Sequence, residues 1–298
     1  LQGIGLTIIS AVGYAAIQEI FEERDAIKVM ALMANISLIA PLIGPVVGAF
    51  MIDHVSWHWG FIGIALLATL SWFGLKAKMP EQHVSIPKQP LSYVWDDFKA
   101  VFSNKRFMAL SLSLPLVSIP LILWIAMSPV ILVEQLGLTN MQYGLAQVPV
   151  LGALILGNIV LIRVIDQLAL GRTVMLALPL MLIGTLIVIA GVIWQEYMLW
   201  CLVLGMTLIS FGEGCSFSVL YRFSLSASEV SKGTVAAAVG MIMMVAFFVV
   251  IEIVRILYGH FDMWAYALAC FALIAVWFTV PRSVVKSIMQ ERAMSGQF

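Results

Sequence analysis

The chain has 298 residues, of which 62% are hydrophobic and only 11% are charged, with a mean hydropathy of +1.04. A soluble domain carries roughly 25% charged residues, and a globule of this size cannot bury so many apolar side chains. A lipid bilayer covers them instead, because helices satisfy their own backbone groups there. The 16 basic and 16 acidic residues cancel, so we predict no nucleic-acid partner.

Windows of about 20 apolar residues predict the membrane-spanning helices. The only long connection carries three prolines, which are typical of a linker. Apolar residues at helical spacing over 91–102 predict an amphipathic helix in it, on the membrane surface or packed on the bundle. The predicted units are 1–78, a linker at 79–105, and 106–298. Nine spans are predicted, near 1–21, 29–52, 58–76, 106–133, 141–165, 173–194, 197–221, 233–257 and 263–281.

The basic residues predict the orientation of these spans. If the linker is cytoplasmic, alternation places 15 of the 16 Lys and Arg residues on the cytoplasmic side and only Arg255 outside. Basic residues collect on the cytoplasmic side of membrane proteins. We therefore expect a multi-pass protein of the cell inner membrane with a cytoplasmic C terminus.

The first predicted span carries a polar stripe on an otherwise apolar helix. Such a stripe is costly against lipid, so it faces protein or a water-filled cavity. Interhelical hydrogen bonding and a cavity wall are both consistent with it. Glu19 follows the stripe at the inner mouth of the helix, and it is a candidate proton or charge site. The stripe residues recur at helical spacing and are Gly3, Thr7, Ser10, Tyr14 and Gln18.

The second predicted span combines prolines with small residues on one face. Ala40, Gly44 and Gly48 are four residues apart, which lets a neighbouring backbone approach closely. Pro41 and Pro45 each remove a backbone donor and bend the helix. We predict a hinge that rocks here, with tight packing alone as the alternative.

Prolines also interrupt the fourth predicted span, which carries Pro115, Pro120 and Pro129. We expect it to be kinked or locally unwound, and broken helices in transporters often lie beside the substrate. The fifth predicted span carries a weaker polar stripe, formed by Tyr143, Gln147 and Asn158.

Glu213 lies well inside the seventh predicted span, in the run Phe211-Gly212-Glu213-Gly214-Cys215. An ionisable side chain at that depth marks a candidate functional site. We weigh a proton-coupling or cation-binding role equally against a hydrogen-bonded structural acid. Glu252 and Arg255 are three residues apart in the eighth span, so they are expected to form a structural pair.

Metal and catalytic motifs are weak. Asp53, His54 and His58 form one polar group, but a third well-placed ligand and supporting partners are not evident. An interfacial turn is the stronger interpretation, so we predict no metal site. The sequence contains no phosphate-binding glycine motif and no nucleophile elbow, so we predict neither catalytic residues nor a cofactor.

Several sequence runs now indicate a family. Gly44-Pro45-x-x-Gly48 resembles the motif of the fifth helix in drug/proton antiporters of the major facilitator superfamily. The likeness covers nearly the whole chain. Further similar runs are Leu1–Gly5, Gly13–Glu19, Ala31–Asn35, Trp124–Pro129, Gln147–Pro149 and Ser231–Val235.

This resemblance implies an all-α integral membrane bundle of twelve helices in two six-helix halves. The chain would hold helices four to twelve, and we expect it to be a fragment that does not transport alone. The implied activity is proton-driven export of lipophilic neutral and cationic drugs by alternating access. The proton is the coupling ion, no other cofactor is expected, and drugs and membrane lipid are the expected partners of a monomer.

The resemblance also implies substrate-binding positions around a central apolar cavity, to which we add the stripe residues Thr7 and Ser10. A flexible Met among aliphatic side chains suits a site that repacks around varied ligands. The acids of the family's first helix are expected to lie outside this chain. We expect an apolar residue in the family at the position of Glu213, so the role of Glu213 is not inherited. The implied positions are Leu6, Tyr14, Met33, Ser37, Leu121, Ile122 and Ile125.

Three other functions remain open from the sequence. One is transport of another solute such as a sugar or metabolite. Sugar transporters usually need more Asn, Gln and Trp facing the cavity than the polar stripes of this sequence provide. A membrane-embedded enzyme would need a polar cluster stronger than the Asp53, His54 and His58 group. The last alternative is an inactive truncated remnant.

Overall fold

The structure is a computed structural model that describes residues 5, 12–14, 16–17, 20–54, 56, 58–78 and 91–294. This part of the chain contains helices and turns and no strand. It therefore confirms the all-α fold. The helices that follow residue 20 are α1 (Glu23–His54), α2 (His58–Lys78), α3 (Leu91–Ser103), α4 (Lys105–Ser128), α5 (Asn140–Val164), α6 (Arg172–Ile193), α7 (Met198–Ser226), α8 (Lys232–Phe261) and α9 (Met263–Met294).

Seven helices in the described residues are long and apolar enough to cross a membrane. They are α2 and α4 to α9, which confirms the third to ninth predicted spans. The second predicted span lies within α1, and the first, 1–21, lies mostly outside the described residues. The division into 1–78, 79–105 and 106–298 stays a prediction.

Local sequence signals explain where several helices begin. The Asn104 side chain accepts hydrogen bonds from the first backbone N–H groups of α4, at 3.0 and 3.1 Å. Thr139 and Gln142 form a reciprocal capping box at the start of α5. Gly171 precedes α6 with a φ of +94°, a conformation that favours glycine.

The prolines of the fourth predicted span change the winding of one helix. Pro115 and Pro120 lie inside α4, and at Pro129 the chain continues as a π-helix over Pro129–Gln135. A π-helical segment of this kind is a local unwinding that often accompanies a functional site. The expected local unwinding of this span is therefore found, and it begins at Pro129.

Helix α7 is the centre of the bundle. It packs against α4, α5 and α6, while α9 packs on α4 and α6, and α1 packs on α5 and α7. The linker helix α3 packs on α4 and α8, with Val101 buried and Trp95 exposed. This contact confirms the predicted helix and shows that part of its apolar face lies on the bundle.

The small-residue face of α1 is only partly described. Among the described residues, no atom of a neighbouring segment lies within 4 Å of the place of a Cβ at Gly44, which is exposed, and the close backbone approach stays a prediction. The helix runs without interruption through Pro41 and Pro45. The surroundings of Pro41, Pro45 and Gly48 lie outside the described residues, and the hinge stays a prediction.

Candidate functional site

The centre of the candidate site is Glu213, in the middle of α7. Only 7% of its surface is exposed. Its two neighbouring glycines are contact points for two other helices: a Cβ at Gly212 would clash with Met181 of α6, and one at Gly214 would lie 3.0 Å from the Gly157 Cα of α5. With α6 and α5 held this close on two sides, the Glu213 side chain lies next to Ser118 of α4.

The Glu213 carboxyl group is incompletely satisfied. Its Oε2 atom is buried and has no hydrogen-bond partner among the described residues. A bare carboxylate in such surroundings is costly, so the buried group is more stable with a bound proton or beside a cation. A proton-coupling or cation-binding role and a structural acid both fit this arrangement, and the role of Glu213 stays a prediction.

The predicted substrate positions that the structure describes lie in two parts of the sequence, before the linker and in α4. The Met33 methyl group lies 3.9 Å from the place of a Cβ at Gly13, beside Tyr14. Ser37 is exposed and donates a hydrogen bond to the Met33 carbonyl at 3.0 Å. Leu121 is buried, Ile122 is half-buried, and Ile125 is 43% exposed. Predicted site residues outside the described part of the chain are Leu6, Thr7, Ser10 and Glu19.

Tyr14 contacts α7. Its ring lies 4.6 Å from the ring of Tyr221, between centroids, at an interplanar angle of 36°. The contact joins residues from opposite sides of the linker. Sequence periodicity placed Tyr14 on a polar stripe but gave no indication of this partner.

Polar side chains also connect helices inside the bundle. The Trp124 indole N–H donates to Gln147 Oε1 at 2.7 Å, and Gln147 Nε2 donates to Ser128 Oγ at 3.0 Å. Asn158 Nδ2 donates to Asn35 Oδ1 of α1 at 2.7 Å. Two members of the predicted fifth-span stripe are therefore buried and bonded to other helices.

Replacing Gln147 with Leu is expected to lower the free energy of unfolding by about 1–3 kcal/mol, because the buried Trp124 N–H loses its acceptor. The matched control is Gln167→Leu at an exposed position just after the same helix, which leaves this network intact. Thermal unfolding of the purified protein in detergent measures both variants. Equal melting temperatures for the two variants would contradict the assigned network.

Ionic contacts gather at one end of the bundle, here called the basic end and defined by Arg24, Lys28, Arg106 and Arg222. Lys28 Nζ lies 2.6 Å from the Asp166 Oδ2 atom that follows α5. The hydrogen bond that Lys28 donates to Asp166 raises the pKa of Lys28, so its ammonium stays charged. These turns were all predicted to lie on one side of the membrane.

Two further contacts at the basic end involve α1. Arg222 Nε lies 3.9 Å from Glu23 Oε1, and Arg24 donates to the carbonyl groups of Ile165 and Leu168. The segment before the linker is thus held against α5 and α7, which follow it. The predicted Glu252–Arg255 pair is also present, at 2.7 Å.

A metal centre is not supported. The described residues contain no group of three or more His, Cys, Asp or Glu side chains that could hold a metal ion. The His58 Nδ1 atom lies 2.8 Å from Ser56 Oγ. The side chains of Asp53 and His54 lie outside the described residues.

Long apolar helices around a buried carboxyl group are typical of a multi-pass membrane protein with an ionisable group inside the membrane. The sequence profile of the Major Facilitator Superfamily matches residues 1–251, so the chain belongs to this family. This finding confirms the family that the sequence runs indicated.

Named relatives are transporters or resistance proteins. The chloramphenicol resistance protein CraA of Acinetobacter baumannii is 68% identical over 292 residues, covering 98% of this chain and 71% of CraA. The multidrug transporter MdfA of Yersinia pestis is 43% identical over 260 residues, covering 87% of this chain and 63% of the relative. MdfA of Escherichia coli is 44% identical over 254 residues, covering 85% of this chain and 62% of the relative. The chain thus spans less than two thirds of the MdfA relatives.

Proposed function

We propose that this protein exports lipophilic drugs across the cell inner membrane in exchange for protons. The similarity to a chloramphenicol resistance protein over almost the whole chain carries the proposal. The buried Glu213 supports it independently, because a transporter coupled to protons needs an ionisable group inside the membrane.

In the proposed mechanism, a drug binds among apolar side chains that include Met33, Ile122 and Ile125. The exposed surface of Ile125 and the flexible Met33 side chain support this placement. Leu6, Thr7 and Ser10 complete the proposed surface. Glu213 takes up and releases a proton as the cavity opens alternately to the two sides of the membrane. Glu19 is a second candidate for charge coupling.

Alternating access requires the ionic contacts of the basic end to separate. The exposed fractions of the Lys28 and Asp166 side chains are 27% and 54%, so water can replace their contact at low cost. We place this end in the cytoplasm together with the C terminus. The protein is proposed to act as a monomer that uses protons and no other cofactor.

Chloramphenicol resistance in cells that lack their own drug exporters tests the proposal. We expect expression of the complete gene that encodes this chain to raise the inhibitory concentration of chloramphenicol at least about fourfold, and a protonophore to abolish drug uptake into everted vesicles. The matched control is the same vector without the gene. Uptake that persists without a proton gradient, or uptake of sugars but not of drugs, would contradict the proposal.

A further inference from the structure

A cavity of about 540 Å³ lies at the end of the bundle opposite the basic end. It is enclosed by the turn after the π-helix, the first turns of α5 and the start of α7. Leu138, Ala146 and Val203 are half-buried in its wall. Leu145 and Trp200 also line it and are 62% and 72% exposed, so the cavity opens at the surface between α5 and α7.

Aromatic side chains indicate the depth of this cavity in the bilayer. Trp194, Tyr197 and Trp200 are exposed around the start of α7, and Trp264 is exposed at the start of α9, at the same end of the bundle. Exposed Trp and Tyr side chains collect at the level of the lipid headgroups. The cavity therefore begins at the headgroup level and continues towards the middle of the membrane.

The dimensions and lining of the cavity match a hydrocarbon chain. Gln142 and Pro149, which line it at its two ends along α5, are about 10 Å apart along the helix axis. The apolar part of one leaflet is about 15 Å deep. The side chains around the cavity are aliphatic or aromatic apart from that of Gln142. Water finds almost no hydrogen-bond partner there, whereas a hydrocarbon chain gains packing contacts along the whole wall.

We propose that this cavity binds one acyl chain of a phospholipid from the leaflet at this end of the bundle. Gln142 is placed to meet the lipid headgroup. Its Oε1 atom accepts a hydrogen bond from the Thr139 N–H at 2.9 Å, which leaves the Nε2 group to donate to an ester or phosphate oxygen. The headgroup then lies near Trp200, and the acyl chain passes between Leu145 and Val203.

The bound acyl chain supports the turn that follows the π-helix. Leu136, Gly137 and Leu138 of this turn line the cavity, and Gly137 has a φ of +68°. The turn joins the unwound end of α4 to α5, so a lipid packed behind it stabilises this connection. The lipid site includes none of the residues proposed to bind drugs, and it therefore stands independently of the proposed function.

Photolabelling tests the site in the purified product of the complete gene that encodes this chain. The probe is phosphatidylethanolamine with a diazirine on one acyl chain, present in small amount in dodecyl maltoside micelles, where detergent competes for ordinary apolar surface. Mass spectrometry locates the labels. We expect Leu145 and Val203 to be labelled at least about fivefold more than Ile183 and Leu186, which are exposed residues of α6.

Two variants fill the cavity from different helices, Ala146→Phe on α5 and Val203→Phe on α7. Both should lower the labelling of Leu145 to the level of α6. Leu204→Phe, at the adjacent and exposed position of α7, is the matched control and should keep the labelling. Adding phosphatidylethanolamine to delipidated protein should raise the melting temperature of the original protein and of Leu204→Phe by several degrees. The filled variants should gain much less.

Equal labelling of the cavity and of α6 in the original protein would contradict the lipid site and indicate ordinary detergent-like contact. No label in the cavity would show that another protein segment or a second copy fills it. Displacement of the probe by excess chloramphenicol would indicate a drug site instead. The labelling ratio within the original protein decides the proposal even where a filled variant folds poorly.

Discussion

Proton-driven chloramphenicol uptake is expected to fall to about a tenth or less when Glu213 is replaced by Gln. Glutamine has almost the same shape but cannot take up and release a proton. Glu213 is buried, and its Oε2 atom has no hydrogen-bond partner in the part of the chain that the structure describes. In the proposed mechanism its charge is therefore neutralised by a proton in each transport cycle. Initial uptake rates in everted vesicles, with an imposed pH gradient, measure the effect.

The controls separate coupling from folding. Glu252→Gln removes an exposed acid that pairs with Arg255, and we expect its uptake to stay within about twofold of the original. Glu213→Asp keeps an ionisable group and should retain part of the activity. Melting temperatures should not fall in Glu213→Gln, because a neutral amide is cheaper to bury than a carboxylate. Full uptake by Glu213→Gln would remove this residue from the mechanism.

The sequence predicts features that depend on a single helix and on whether lipid or water surrounds it. Apolar length locates the spans, and basic turns indicate that Lys28 and Arg222 belong to the same end of the bundle, where their ion pairs are found. Glu213 is conspicuous because a charge among apolar residues is unusual in any membrane helix. Pro129 marks the change in winding because it cannot donate a backbone hydrogen bond.

Partners between distant segments are not predictable in this way. Helical periodicity gives the face on which Tyr14 or Asn158 lies, but not the helix that covers that face. Their partners, Tyr221 and Asn35, are more than 100 residues away in the sequence. Many combinations of helices satisfy the same periodicity, so only the three-dimensional packing selects one.

Glycine motifs illustrate the same limit. Spacing of small residues indicates that a close approach is sterically allowed, not that a neighbour is present. Gly44 satisfies the motif, but no neighbour approaches it among the residues that the structure describes. Gly157 and Gly214 lie in runs where small residues are less regularly spaced, yet they form a close contact between α5 and α7. The structure thus shows a close small-residue contact at the helix that carries Glu213, which the spacing alone did not indicate.

Gly157→Ala is therefore expected to be among the most damaging single substitutions in the bundle. Its new Cβ would clash with the Phe211 carbonyl oxygen and lie 3.1 Å from the Gly214 Cα, and backbone atoms cannot rotate away as a side chain can. Overpacking of this kind costs about 1–3 kcal/mol of folding free energy. Thermal unfolding in detergent should show a melting temperature several degrees lower.

Gly152→Ala is the matched control on α5, since no described neighbour lies within 4 Å of the place of its Cβ. It should be neutral or slightly stabilising, because alanine has the higher helix propensity. In Gly157→Ala, α7 must move away from α5, and Glu213 moves with it relative to Ser118. We therefore expect proton-driven uptake per folded molecule to fall as well, even at a temperature where the variant stays folded. Equal stability and equal uptake for the two variants would show that the α5–α7 contact does not position the carboxyl group.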